Sequence, residues 1–90
     1  MKEKAKTPLI VIEWLDSHYV AGWHTEEPRT EPLRCRSVGW LLYDGEEAKT
    51  IAAHITEEDV PQRCGEMTIP TNAIVTMEVL RGDRTGLGGS

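Results

Sequence analysis

Five side chains of this 90-residue sequence offer a metal nitrogen or sulfur: Cys35, Cys64, His18, His24 and His54. Zinc sites of the common kinds announce themselves by closely spaced ligand pairs, because two ligands supplied by one local turn need little further chain ordering to close the site. No pair here stands at C-x-x-C or H-x-x-x-H spacing. The residues read as small buried thiols and surface imidazoles, with no metal and no cofactor expected. A Cys–His nucleophile needs a setting that lowers the thiol pKa, and neither cysteine lies in a glycine-rich or helical context that would do so. Glu13 and Asp16 are close enough in sequence to act as paired carboxylates, but they fit a strand face and a turn cap. Arg81-Gly82-Asp83 is a chance tripeptide. No catalytic residue is expected, and the chain does not read as an enzyme.

Binding chemistry is better represented. Arg29, Arg34 and Arg36 form one basic cluster, interspersed with Glu26, Glu27 and Glu31. The formal net charge is −5. Its distribution is uneven: Asp44, Glu46, Glu47, Glu57, Glu58 and Asp59 face Lys49 alone within 44–59, while the segments on either side balance. An acidic chain lacks the general pull toward phosphate that drives non-specific nucleic-acid binding, so any such site is local. The aromatic rings are Trp14, Trp23, Trp40, Tyr19 and Tyr43, with no phenylalanine. Trp14 and Trp40 are expected in the core, and Trp23 at an interface, where tryptophan serves as an anchor.

The elements that must position these residues are short strands. The sequence predicts one domain over 8–81 with flexible tails at 1–7 and 82–90. A chain of this size buries only about 60–65% of its unfolded surface, so an isolated monomer has little stability to spare. The apolar run after the basic start, Leu9 to Ile12, is too short for a secretory or membrane segment. The expectation is a cytoplasmic protein with reduced thiols and no membrane partner. Leu9 to Leu15 alternates with Ile10, Ile12 and Trp14 on one face, which predicts a strand. A bend or hairpin is expected near Gly22, and the Pro28/Pro32 stretch is a loop. Leu33 to Tyr43 is the longest strand, with Gly39 inside it marking a bulge or sharp bend. Asp44-Gly45 predicts a hairpin turn. Residues 45–56 fit both a strand and a helix, and the preceding Asp-Gly turn favours the strand. Met67 to Ile69 and Val75 to Leu80, split by a Pro-Thr-Asn turn, complete five strands.

Two groups of residues carry a resemblance. Gly39, Leu41, Tyr43, Asp44 and Ile51 follow the order of the first Sm motif, with the aromatic and the aspartate one residue early. Ile69, Pro70, Thr71, Ile74 and Met77 occupy the positions of the second. Over about residues 9–80 the chain resembles the Sm-like proteins, in particular small phage- or prophage-encoded proteins of that kind. The resemblance implies an all-β fold, a small five-stranded, strongly bent antiparallel barrel, and a homo-oligomeric ring built by strand addition. Val75, Met77 and Val79, with Trp23, are then the expected protein-interface residues. It also implies a single-stranded RNA site, for which Arg34, Arg36, Lys49 and Tyr43 are the candidates. Yet Lys49 falls near the family's RNA-contacting asparagine, and Pro70 and Thr71 replace its arginine-glycine pair. Proline supplies neither the cationic fork nor a backbone donor. The expected role is therefore that of a non-enzymatic interaction module that binds itself and a protein partner, with RNA binding as the alternative.

Overall fold

The computed structural model describes residues 7–82. The tails expected at either end fall mostly on residues 1–6 and 83–90, outside the described residues. Five strands follow one another: β1 (Leu9–Asp16), β2 (Leu33–Asp44), β3 (Ala48–Ile55), β4 (Arg63–Pro70) and β5 (Ile74–Arg81), with a 3-10 turn, Thr71–Ala73, between the last two. They form one antiparallel sheet in the order β4-β3-β2-β1-β5. The all-β, five-stranded reading of the sequence is what the structure has, and the 45–56 ambiguity resolves as strand.

The alternation read in β1 sets the inside of the sheet. Ile10 and Ile12 are fully buried and cluster with Ile51 of β3 and Ile69 of β4. Trp14, Leu41, Ala73, Ile74 and Met77 pack around them, half-buried. Each fully buried isoleucine contributes roughly 1.5–3 kcal/mol by leaving water. Trp14 brings a polar edge into this layer, and its indole N–H donates to Ser37 Oγ at 3.0 Å. Trp40 behaves differently from the core role expected of it. It neighbours Gly39 and Leu41, so the pleat turns it to the opposite face, opposite Leu9 and Ala52, where it is half-buried.

Glycine has a structural task at two places in the ladder. A Cβ on Gly39 would stand 2.9 Å from the Ala52 carbonyl oxygen and 3.0 Å from Ile51 Cβ, so β2 and β3 approach there in a way that no side chain permits. A register shift follows between Leu41 and Tyr43. Gly65 in β4 has φ of +74°, a left-handed conformation, and packs against Ala53.

Turns at one end of the sheet are tied together. Gly45 N–H donates to Ala48 O at 3.0 Å and closes the β2–β3 turn, while Thr71 N–H donates to Glu47 O at 2.9 Å. The second bond joins the β2–β3 turn to the 3-10 turn. At the other end, residues 17–32 leave the sheet as an arm with no strand of their own, so the bend near Gly22 is not a hairpin. Gly22 has φ of +91° and supplies the tight turn at its tip.

Candidate functional site

Three surfaces collect the residues with binding chemistry. The first is the paired turns. Tyr43 is 59% exposed, and its ring and hydroxyl lie over Gly45. Lys49 Nζ donates to Asp44 Oδ1 at 2.5 Å and to Gly45 O at 2.9 Å. Its side chain is only 17% exposed. Two acceptors therefore hold the ammonium inside the turn, pinning Asp44 and the Gly45 carbonyl together. Glu46 and Glu47 flank it, and Pro70 begins the turn on the other side. Lysine at this position serves the turn, and the surface around it is acidic. The Thr71 hydroxyl is buried here without a hydrogen-bond partner.

Replacing Lys49 with methionine tests this placement. The stem can still pack, but the two donated bonds go. Stability is expected to fall by about 1 kcal/mol, the scale of a charged hydrogen bond whose carboxylate partner is half-exposed, as a lower urea midpoint. If RNA binds, the salt dependence of that binding is expected to be unchanged, whereas a phosphate-gripping lysine would reduce the slope by about 1.

The second surface is the outward face of β1, β2 and β5. Pairing places Glu13 opposite both Arg36 and Thr76, and Leu15 opposite Arg34. Glu13 Oε1 lies 3.7 Å from Arg34 Nη1 and accepts from Thr76 Oγ1 at 3.3 Å, and Glu13 Oε2 lies 3.6 Å from Arg36 Nε. Two guanidiniums thus share one carboxylate. The arginine side chains are 62% and 72% exposed against 31% for Glu13, so the positive ends reach furthest into water. Val38 beside them is 53% exposed. Glu13 sits on a strand face as the sequence indicated, but its two arginine partners could not be read there, because the signal is its register with β2 and not any local spacing.

The third surface comprises the two ends of the sheet and the arm. On β5, Val75 and Val79 are exposed and Leu80 is 54% exposed, whereas Met77 turns inward against the core. On β4, every residue but Ile69 is exposed. Trp23 stands on the arm entirely in solvent, with Tyr19 and Val20 exposed beside it. The arm curls around an open hollow of about 860 Å³.

Among the described residues no three His, Cys, Asp or Glu side chains converge to hold a metal ion. Cys35 is half-buried and Cys64 exposed, on strands β2 and β4. Among the described residues no helix is long and apolar enough to cross a membrane. The chain matches no protein-family model, no curated protein and no solved structure.

Proposed function

We propose that this chain is a non-enzymatic interaction module with an Sm-like, strongly bent barrel, and that it assembles with copies of itself into a ring by strand addition. One observation carries the reading. The sheet has two ends, β4 and β5, each eight residues long, and exposed apolar side chains lie on both. A long strand with an unpaired side is a template for another strand, and soluble proteins ordinarily blunt such an edge with charge, proline or a cover. Here Arg63, Glu66 and Pro70 on β4 and Glu78 and Arg81 on β5 blunt the edges in part, while Met67 on β4 and Val75, Val79 and Leu80 on β5 remain in water. Joining β4 of one copy to β5 of the next is a heterologous contact, which closes into a ring if the rotation permits.

Support for the bent barrel comes from the core. β4 and β1 are three strands apart in the sheet, which in a flat sheet is about 14 Å. Ile69 of β4 nonetheless shares one contact cluster with Ile10 and Ile12 of β1. The 3-10 turn likewise packs on β1. A curled sheet accommodates both.

A second reading, binding of single-stranded RNA by such a ring, is favoured by the two exposed guanidiniums that share Glu13. Against it stand the acidic surface of the paired turns and the engagement of Lys49.

Light scattering at tens of micromolar tests the assembly. A mass that is a multiple of 10.1 kDa is expected, and Val79→Lys, which puts a charge on the β5 edge, is expected to yield monomer. A wild-type monomer would refute the ring. Adding short single-stranded RNA at low salt separates the two readings. Binding that weakens steeply with salt supports the second, and no binding supports the first.

A further inference from the structure

The arm, residues 17–32, poses a question that strand addition does not answer. Trp23 is 101% exposed, Tyr19 87% and Val20 55%. A tryptophan wholly in water gains nothing for the fold, yet a buried one is among the strongest anchors an interface has. The arm is not limp. Ser17 N–H donates to Asp16 Oδ1 at 2.7 Å, a His24 ring nitrogen bonds Ala21 O at 2.7 Å, and Arg29 Nε donates to Glu31 O at 2.8 Å. With the left-handed turn at Gly22, these local bonds shape the arm, and Trp23 is left in solvent.

We propose that the arm of one protomer docks on the outward face of β1 and β2 of a second copy, with Trp23 covering Val38 and Val11 and the acidic stretch Glu26-Glu27 lying over Arg36 and Arg34. This inference rests on the reading of the chain as a homo-oligomer. Charge supports it: the arm carries Glu26, Glu27 and Glu31 against Arg29, and the receiving face carries two guanidiniums for one Glu13 carboxylate. Glu78 lies on that face as well, opposite Val11 and so at the apolar end, away from where the acidic stretch settles.

Spacing supports it too. Val38 lies two residues from Arg36 and four from Arg34 along one strand face, about 7 and 13 Å. Trp23 lies three and four residues from Glu26 and Glu27, at most about 10 and 14 Å in extended chain. An anchor on the valines therefore brings the carboxylates within reach of the guanidiniums. The same face could instead take a phosphate backbone. Its exposed apolar neighbours, however, are Val38 and Leu15, and the aromatic ring on that face, Trp40, is half-buried opposite Ala52 and presents less open surface for bases to stack on.

Full-length protein labelled with 5-fluorotryptophan tests this by ¹⁹F NMR, with the Trp23 signal assigned by Trp23→Phe and its exposure read from the H₂O/D₂O solvent shift. In wild type at assembling concentration Trp23 is expected to lose most of its solvent shift. In labelled Val38→Asp, a substitution at a half-exposed site, it is expected to regain the shift. Co-refolding labelled Val38→Asp with unlabelled Trp23→Ser, whose face is intact, is expected to protect Trp23 again in a substantial fraction of molecules. That complementation requires contact between copies. Trp23 exposed at every concentration while the mass stays that of a ring overturns the arm contact and leaves strand addition standing. A wild-type monomer with Trp23 exposed overturns both. Protection in wild type that co-refolding fails to restore means that the arm lies on its own sheet or elsewhere, and overturns the proposal. So does RNA that binds the wild type and is lost on Arg34→Gln/Arg36→Gln while Trp23 stays exposed.

Discussion

Ile12→Ala is expected to remove about 3–4 kcal/mol of stability and to leave much of the protein unfolded at 25 °C. Ile12 is fully buried, in the middle of β1, with Ser37 on one neighbouring strand and Met77 on the other. It belongs to the cluster with Ile10, Ile51 and Ile69. Truncating a buried isoleucine to alanine costs about 2–5 kcal/mol, and the loss is greatest where the surroundings cannot collapse into the void. Here the neighbours are fixed by backbone pairing on both sides of β1, which places the cost in the upper half of that range. A domain of this size has little more than about 5 kcal/mol in total. Urea unfolding at fixed protomer concentration reads the effect, since assembly adds to apparent stability. With a slope near 1 kcal/mol/M for so small a domain, the midpoint is expected to drop by about 3 M, or the folded baseline to vanish. Ile12→Val is expected to cost about 1 kcal/mol. Val60→Ala, at a loop residue that is 81% exposed, is expected to stay within about 0.5 kcal/mol of wild type. Equal effects at Ile12 and Val60 would mean that this cluster is not the core.

The sequence made this core legible because Ile10, Ile12 and Trp14 share one face of β1 while Glu13 interrupts the apolar run of Leu9, Val11 and Leu15 on the other. β4 was harder. Its first four residues, Arg63-Cys64-Gly65-Glu66, carry no apolar signal, and the strand was expected to begin only at Met67. They are held by backbone pairing to β3 and all are exposed, so nothing in their side chains reports the ladder. Trp40 misled for the opposite reason. Val38, Trp40 and Leu42 form an apolar row that resembles a core face, but the pairing of Ile10 with Gly39 and Leu41 with Ile51 sends that row outward.

The candidate site was legible as a set of residue types and not as contacts. Lys49 was expected near the RNA-contacting position on motif alignment. Its bonds to Asp44 and to the Gly45 carbonyl follow from the turn geometry, which no spacing rule specifies. The Thr71–Glu47 bond joins two turns far apart in sequence and was equally invisible. The Arg34–Glu13–Arg36 arrangement depends on the register of β1 against β2, and a shift of one residue would put Glu13 in the core. What resists a sequence reading in each case is pairing between segments. That is also what a proposed ring depends on, since the edges that β4 and β5 present are defined by which strands they do not pair with.

Gly39→Val is expected to cost about 3 kcal/mol, and its consequences should extend beyond stability. The site is fully covered, and valine Cβ would meet a backbone oxygen at 2.9 Å, Ile51 Cβ at 3.0 Å and Ile51 Cδ1 at 3.1 Å. Ile51 can rotate its terminal methyl, but the Ala52 carbonyl cannot move without disturbing β3. Overpacking of a tight contact typically costs about 1–3 kcal/mol, and the branched γ carbons of valine place it at the upper end. The strain is best relieved by separating β2 from β3 at that point, which also flattens the sheet there. In the curled sheet proposed above, that flattening carries β4 away from β1, loosens Ile69 from Ile10 and Ile12, and changes the angle between the two free edges. If the ring proposed above forms, protein that refolds is expected to assemble as open aggregates or monomer and not as a species of defined mass, because closure of a heterologous contact depends on that angle. Gly45→Ala is the control. The added methyl meets only the Tyr43 ring, a side chain 59% exposed that can swing aside, so both the urea midpoint and the mass are expected to stay close to wild type. If Gly39→Val keeps the wild-type mass by light scattering, β2 does not set the geometry of assembly, and the close approach at Gly39 serves packing alone.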